Sequence, residues 1–258
     1  MKIIRILLAA AGVTALTMVC VAQEEEATPR FTYASYFSCG GGPLARVDEI
    51  MADDADRMNG FMEDGTLAAW GWMAHHTGGQ WQRISWYQAD GMDALMDAGD
   101  AIQGSGDDAD DSDDAAADDE DDGPVFREIC PRHDDYIWQV QNGANSDARG
   151  DVGMSVYHVC DVSREERADE IVDEHFAPIL NKMVEDGKLA SWGWQSHVVG
   201  GHYRRLQTMS AGDVKSLMAA RGEAIDVIYA DDNEAGEEFT SICGDHADYI
   251  WNMQLESN

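Results

Sequence analysis

Polar and apolar positions along this chain follow two periods that alternate. Phe31-Thr-Tyr-Ala-Ser-Tyr-Phe-Ser-Cys39 is aromatic and β-favouring, which predicts a strand, and Gly40-Gly41-Gly42-Pro43 ends it. Val47, Ile50, Met51, Met58, Phe61 and Met62 then recur at three-and-four spacing with acids between them, the pattern of a helix with one buried face. Gly65 ends that helix, where a left-handed residue is favoured. Thr66–His76 and Gln80–Gln88 predict two strands joined by Thr77-Gly78-Gly79. A shorter helix follows from Gly91 to Gln103, and Asp134–Val140 predicts a fourth strand.

The same order then returns. A strand over Ser155–Cys160 leads to Ser163-Arg-Glu-Glu166, which reads as a capping box. It opens a helix whose buried face carries Ile171, Val172, Phe176, Ile179, Leu180, Met183 and Val184, with Pro178 predicting a kink. Strands Lys188–Val198 and His202–Met209 flank Gly200-Gly201, and Ser210 to Asp213 reads as a second capping box before Val214, Leu217 and Met218. The last strand covers Ala247–Met253.

Trp70-Gly71-Trp72 recurs as Trp192-Gly193-Trp194, and each is followed at one distance by a histidine (His75, His197), a glycine pair and an arginine (Arg83, Arg205). Asp135-Tyr-Ile-Trp138 recurs as Asp248-Tyr-Ile-Trp251. Each copy therefore reads β-α-β-β-α-β, giving an α+β fold of two tandem ferredoxin-like repeats, residues 31–143 and 151–256. In that topology the sheet runs 4-1-3-2, with helices on one face and the other face bare. A bare apolar face needs cover, and the tandem copy supplies it. The expectation is two sheets packed face to face as a pseudo-dimeric α/β barrel.

The stretch Asp173-Glu-His-Phe-Ala-Pro178 and the strand–glycine turn–strand hairpin after it resemble the dimeric α/β-barrel superfamily. That group includes antibiotic-biosynthesis-type monooxygenases, NIPSNAP-like and EthD-like proteins. The resemblance covers both copies and implies the barrel fold. Its members range over oxygenases, isomerases, haem enzymes and proteins without known activity, so it implies no single reaction.

Composition adds the compartment. Lys2 and Arg5, the apolar run Ile6–Val21 and small Ala22 follow the order of a secretory signal over residues 1–22, with 23–30 as a flexible lead-in. Losing that segment takes the formal charge from −33 to −35, which repels nucleic acid and anionic membranes. The expected location is periplasmic or secreted, as a monomer free of the membrane after cleavage. The tract Asp107–Asp122 holds 11 acids in 16 positions and reads as a solvated insertion without the ligand spacing of a calcium loop.

Four cysteines remain outside the signal, and export with an even count predicts disulfides. In the assumed strand order, the end of the first strand lies beside the start of the fourth. That pairs Cys39 with Cys130 and Cys160 with Cys243.

Candidate chemistry is sparse. Strand parity puts Trp70 and Trp72 on one face and Gly71, Met73 and His75 on the other, and likewise Trp192 and Trp194 against Gly193, Gln195 and His197. The four tryptophans read as core, or as the aromatic wall of a pocket if their face is the interior. His75 and His197 are the candidate bases, and Arg83 and Arg205 the candidate anion holders. As structural residues, the arginines would pair with Asp135 and Asp248. Tyr36 and Tyr157 correspond when the cysteines are aligned and read as donors to a ligand or as barrel lining. His133 and His246 also repeat, so a joint site would form across copies, for example His75 with His246. No spacing signature points to a metal or a cofactor. The function expected is binding of a small apolar or aromatic molecule; the alternatives are a cofactor-free oxygenase or isomerase, and a structural module with a filled barrel.

Overall fold

The computed structural model describes residues 28–107, 124–147, 150–230 and 233–257. The expected signal segment 1–22, and the acidic tract beyond Asp107, lie outside the described residues. No described helix is long and apolar enough to cross a membrane.

The first half supplies β1 (Arg30–Ser38), α1 (Leu44–Asp53), α2 (Ala55–Glu63), β2 (Ala69–Thr77), β3 (Arg83–Asp90), α3 (Met92–Asp107), α4 (Phe126–Ile129) and β4 (Arg132–Asn145). The second half supplies β5 (Val152–Val159), α5 (Glu165–Ile171), α6 (Ala177–Glu185), β6 (Ser191–Val199), β7 (Arg205–Ala211), α7 (Val214–Ile228), α8 (Glu234–Cys243) and β8 (Asp245–Glu256). The eight strands close into one antiparallel barrel in the order β1-β3-β2-β8-β5-β7-β6-β4. Each half contributes the expected 4-1-3-2 order, and helices cover the outside.

The sheets are joined edge to edge, a feature the strand lengths read from sequence had hidden. β4 pairs with β1 over Arg132–Gln139 and, continuing, with β6 over Ile137–Asn145. β8 likewise serves both β5 and β2. The fourth strand of each half is therefore far longer than the alternating apolar core Asp134–Val140 or Ala247–Met253 suggests, because its extension is polar and half-exposed. Bulges where β4 meets β6, and where β2 meets β8, absorb the change of neighbour. Closure leaves no sheet edge open.

Other departures are local. The long first helix breaks at Asp54, which caps α1 and begins α2. Neither predicted capping box forms: Asp161 accepts from the Ser163 N–H, and Asp213 accepts from the Ser216 N–H and hydroxyl. An aspartate with a serine two or three residues on outcompetes the serine read as the cap. Around Pro178 the chain makes a π-helical turn over Val172–Phe176 before α6, which accommodates the missing N–H. Glu234–Cys243 forms a further helix, α8, buried through Phe239 and Ile242. Both predicted disulfides form, Cys39–Cys130 and Cys160–Cys243.

Candidate functional site

Every repeated motif on the sheet resolves by face. The Trp70 and Trp72 rings point outward, under the helices. The Trp72 indole N–H donates to Asp48 of α1 at 2.8 Å, and the Asp48 carboxylate also takes Arg83 through Nε and Nη2, both at 2.7 Å. Trp194, Asp169 and Arg205 repeat this at 2.8, 2.7 and 2.7 Å. Trp70 donates to Asn59 and Trp192 to Asn181. The repeated Trp-Gly-Trp…Arg pattern thus clamps helix to sheet. Arg83 and Arg205 are buried ion-pair partners of helix acids, and their expected pairing with Asp135 and Asp248 does not occur. The sequence signal for Asp48 and Asp169 was available: they too sit at matched positions of the two copies.

The inward face holds the rest. At one end the barrel is filled by stacked aromatics: Tyr36, Trp81, Tyr136, Trp138, Tyr157, Tyr249 and Trp251 are buried in one cluster, with Tyr203 against it. Trp81 and Tyr203 enter from the two hairpins. Trp81 stacks on Tyr36 at 4.5 Å and on Tyr249 at 5.1 Å. Each hairpin's glycines lie on a tyrosine of the other half. A Cβ on Gly78, which has φ 133°, would fall 2.6 Å from the Asp248 carbonyl oxygen, and one on Gly200, with φ 141°, 2.4 Å from the Tyr136 ring.

His75 and His197 border this plug. His75 faces the Tyr249 and Trp251 rings edge-on at 6.2 and 5.9 Å; His197 faces Tyr136 and Trp138 at 6.2 and 6.0 Å. Burial lowers the pKa of both, and Arg204, whose Nη1 donates to His197 Nδ1 at 2.8 Å, lowers that of His197 further. Each imidazole is thus held towards its neutral form. The joint His75–His246 arrangement is not assembled: His75 pairs in register with Trp251, whereas His246 lies opposite His158.

At the other end the barrel opens into a cavity of about 740 Å³. Tyr36 and Tyr157 form its floor, 5.4 Å apart and edge to face, and Met73, Ile84, Trp86, Gln195, Leu206, Thr208 and Trp251 are among its walls. Trp86 lies flat across Gly71, where an added Cβ would fall 2.7 Å from three ring atoms. That close approach explains the glycine between the tryptophans. The matching Gly193 faces Thr208, so one wall is aromatic and the opposing one polar.

Three buried polar atoms at this cavity have no hydrogen-bond partner: the Tyr157 hydroxyl, Gln195 Oε1 and Trp251 Nε1. Burial raises the pKa of both floor tyrosines, so each stays a neutral hydroxyl at any ordinary pH. Among the described lining residues there is no histidine, and Arg30 at the rim is paired with Asp90. Of the four motif tryptophans, Trp192 alone borders the rim. Parity reasoning placed the tryptophans correctly against His75 and His197 but could not say which face is inside. It sets Gln195 on the face of His197 without marking it as a candidate, and it does not single out Trp86; the inward positions of both follow once the face is known. Among the described residues, no group of three or more His, Cys, Asp or Glu side chains is placed to hold a metal ion.

No protein-family model matches the chain. No curated protein matches it either. Solved structures do match, over nearly its full length. A protein provisionally assigned as a monooxygenase from Lactobacillus acidophilus NCFM aligns at 6% identity and TM-score 0.57, covering 89% of this chain and 96% of that one. A second such protein, from Fusobacterium nucleatum subsp. nucleatum, aligns at 9% identity and TM-score 0.57, covering 90% and 95%. A protein provisionally assigned as a chlorite dismutase aligns at 11% identity and TM-score 0.51, covering 88% and 95%. At these identities the likeness shows a shared fold, the ferredoxin-like α/β barrel, and nothing further.

Proposed function

We propose that the protein binds a small, flat, largely apolar molecule carrying a polar group, inside the open half of its barrel. The observation that carries this reading is the pairing of an aromatic-walled cavity with three buried, unpartnered polar atoms. An unpartnered buried donor or acceptor costs about 1–3 kcal/mol, and a ligand that meets it recovers that energy on binding. The Trp86 ring offers a flat surface, Trp251 a donor, Gln195 an acceptor and Tyr157 either. Arg83 and Arg205 are engaged outside the barrel, and His75 and His197 border the aromatic plug. That placement favours binding over a base-and-arginine oxygenase or isomerase. The filled half serves as floor, so a purely structural barrel accounts for only part of the interior.

We further propose that the chain is exported and works as a monomer, its two repeats standing as an internal pseudo-dimer. Two disulfides and the apolar leader of residues 1–22 support export. Fluorescence and thermal-shift titrations with 1-naphthol and naphthalene test the binding reading. Both probes should quench tryptophan emission and raise Tm. Tyr157→Phe or Gln195→Leu should weaken 1-naphthol and leave naphthalene unchanged. Unchanged emission and Tm with both probes would refute the proposal.

A further inference from the structure

The two halves differ in chemistry outside the barrel, at the end of each half's first strand. In the first half Phe37 sits there, its ring 5.9 Å from Trp72, 5.0 Å from Phe126 and 5.7 Å from His133. The second half keeps the neighbours at matched positions, Trp194, Phe239 and His246, at 5.7, 5.5 and 5.7 Å, but the central residue is His158. Packing gives no reason for the change, because an imidazole adds two polar atoms to a site only 5% exposed. One of them is satisfied: Nδ1 lies 3.3 Å from the Cys243 carbonyl oxygen. A carbonyl can only accept, so Nδ1 carries the proton and Nε2 presents a bare electron pair. That Nε2 is buried and has no partner.

His246 is arranged in the same way. It is the register partner of His158 across the β5–β8 ladder, so the two side chains share a face, with Cβ atoms roughly 5 Å apart by sheet geometry. Its Nδ1 is 2.7 Å from the Asp248 carboxylate, which Arg221 pins at 2.9 Å, and the remaining electron pair is therefore on Nε2. Both imidazoles border a second cavity, of about 210 Å³, between the sheet and the helices α7 and α8. The π-helical turn over Val172–Phe176 ends on Phe176, which forms part of its wall.

We infer that His158 and His246 form an open two-histidine site for a late first-row divalent transition ion, Cu²⁺ ahead of Ni²⁺ and Zn²⁺. The ligand atoms are neutral imidazole nitrogens. Each ring donates its other N–H to a carbonyl or carboxylate, the outer support that holds metal-binding histidines in orientation. Nitrogen ligands set the order of ions, and water fills the remaining positions. The first half, with Phe37 opposite His133, lacks the pair and serves as an internal control.

Calorimetric titration of the full chain with Cu²⁺, with EPR of the loaded protein, tests the site. The wild type should hold an ion showing coupling to two imidazole nitrogens. His158→Phe, which copies the first half, and His246→Gln should each weaken binding by about tenfold or more. Affinity unchanged from the wild type in both variants would assign the ion to surface histidines such as His76, His175 or His202 and overturn the inference, as would a one-nitrogen spectrum. Because His158→Phe alters a buried position, protection of wild-type His246 from diethyl pyrocarbonate by Zn²⁺ gives a readout without substitution. Unchanged modification of His246 would also overturn it.

Discussion

Asp48 and Asp169 hold the same position in the two halves and accept from the same three N–H groups, yet replacing each with alanine should have unequal consequences. The Arg83 side chain is 8% exposed and donates to Asp48 and to the Gln82 carbonyl oxygen, and no other described carboxylate reaches it. Asp48→Ala leaves that guanidinium enclosed without a counter-charge and strips the Trp72 indole of its acceptor. Breaking a buried pair costs about 3–5 kcal/mol. Asp48 is 27% exposed, so water relieves part of the loss and the lower end applies. With about 1 kcal/mol for the indole, Asp48→Ala should cost about 4 kcal/mol. Arg205 is equally enclosed but also meets Glu165 at 3.1 Å, so Asp169→Ala should cost only about 1–2 kcal/mol. Both changes remove one negative charge from a strongly acidic chain, so any relief of global repulsion cancels in the comparison. Urea unfolding at physiological salt, with the disulfides intact, measures the difference, and Tm should fall by roughly 2–4 °C per kcal/mol. Adding Glu165→Gln to Asp169→Ala should bring the second half level with the first. Equal losses for the two single variants would refute the argument.

The glycines between the tryptophans should also separate the halves. Gly71→Ala must move the Trp86 indole and should cost about 1–3 kcal/mol by overpacking. Gly193→Ala meets only the Thr208 hydroxyl at 2.8 Å, which can rotate, and should cost less; chemical denaturation of both variants checks the order. His158 predicts a pH dependence, since burial pushes its pKa down to about 4. Its unfolded pKa is near 6.5, so between those values the unfolded chain binds more protons and stability falls as pH falls. The loss reaches about 3 kcal/mol by pH 4. His75 and His197 shift in the same direction, so the test is the difference between the wild type and His158→Phe, in which that share of the slope should vanish.

The repeated motifs make much of this architecture legible in the sequence alone. Element order followed from apolar period, and the cysteine pairing followed from strand order, because both are local or topological properties. The seams were not legible, since they depend on Asn142 to Asn145 and Gln254 to Glu256, short stretches whose strand state comes from a partner strand and not from an apolar alternation of their own. Which face is the interior stayed open for a related reason. Period-two parity separates Trp70 from His75 but carries no label for inside, and a ferredoxin-like sheet buries both faces, one under helices and one in the barrel.

Repetition also has two meanings that sequence alone cannot separate. Trp72, Arg83 and their counterparts repeat because each half must fasten a helix to its sheet, and they are occupied in doing so. The cavity draws part of its polarity from places where the copies differ, Trp86 against Thr208, Met73 against Gln195 and Ala34 against Ser155, and part from matched residues, Tyr157 and Trp251, left unpaired where Tyr36 and Trp138 bond to each other. His158 against Phe37 is the same kind of difference on the outer face. Matched residues that are fully paired answer to the fold, and departures from the match are free to answer to something bound. The functional search therefore takes in the mismatches and the matched residues that the fold leaves unpaired, as well as what the copies share.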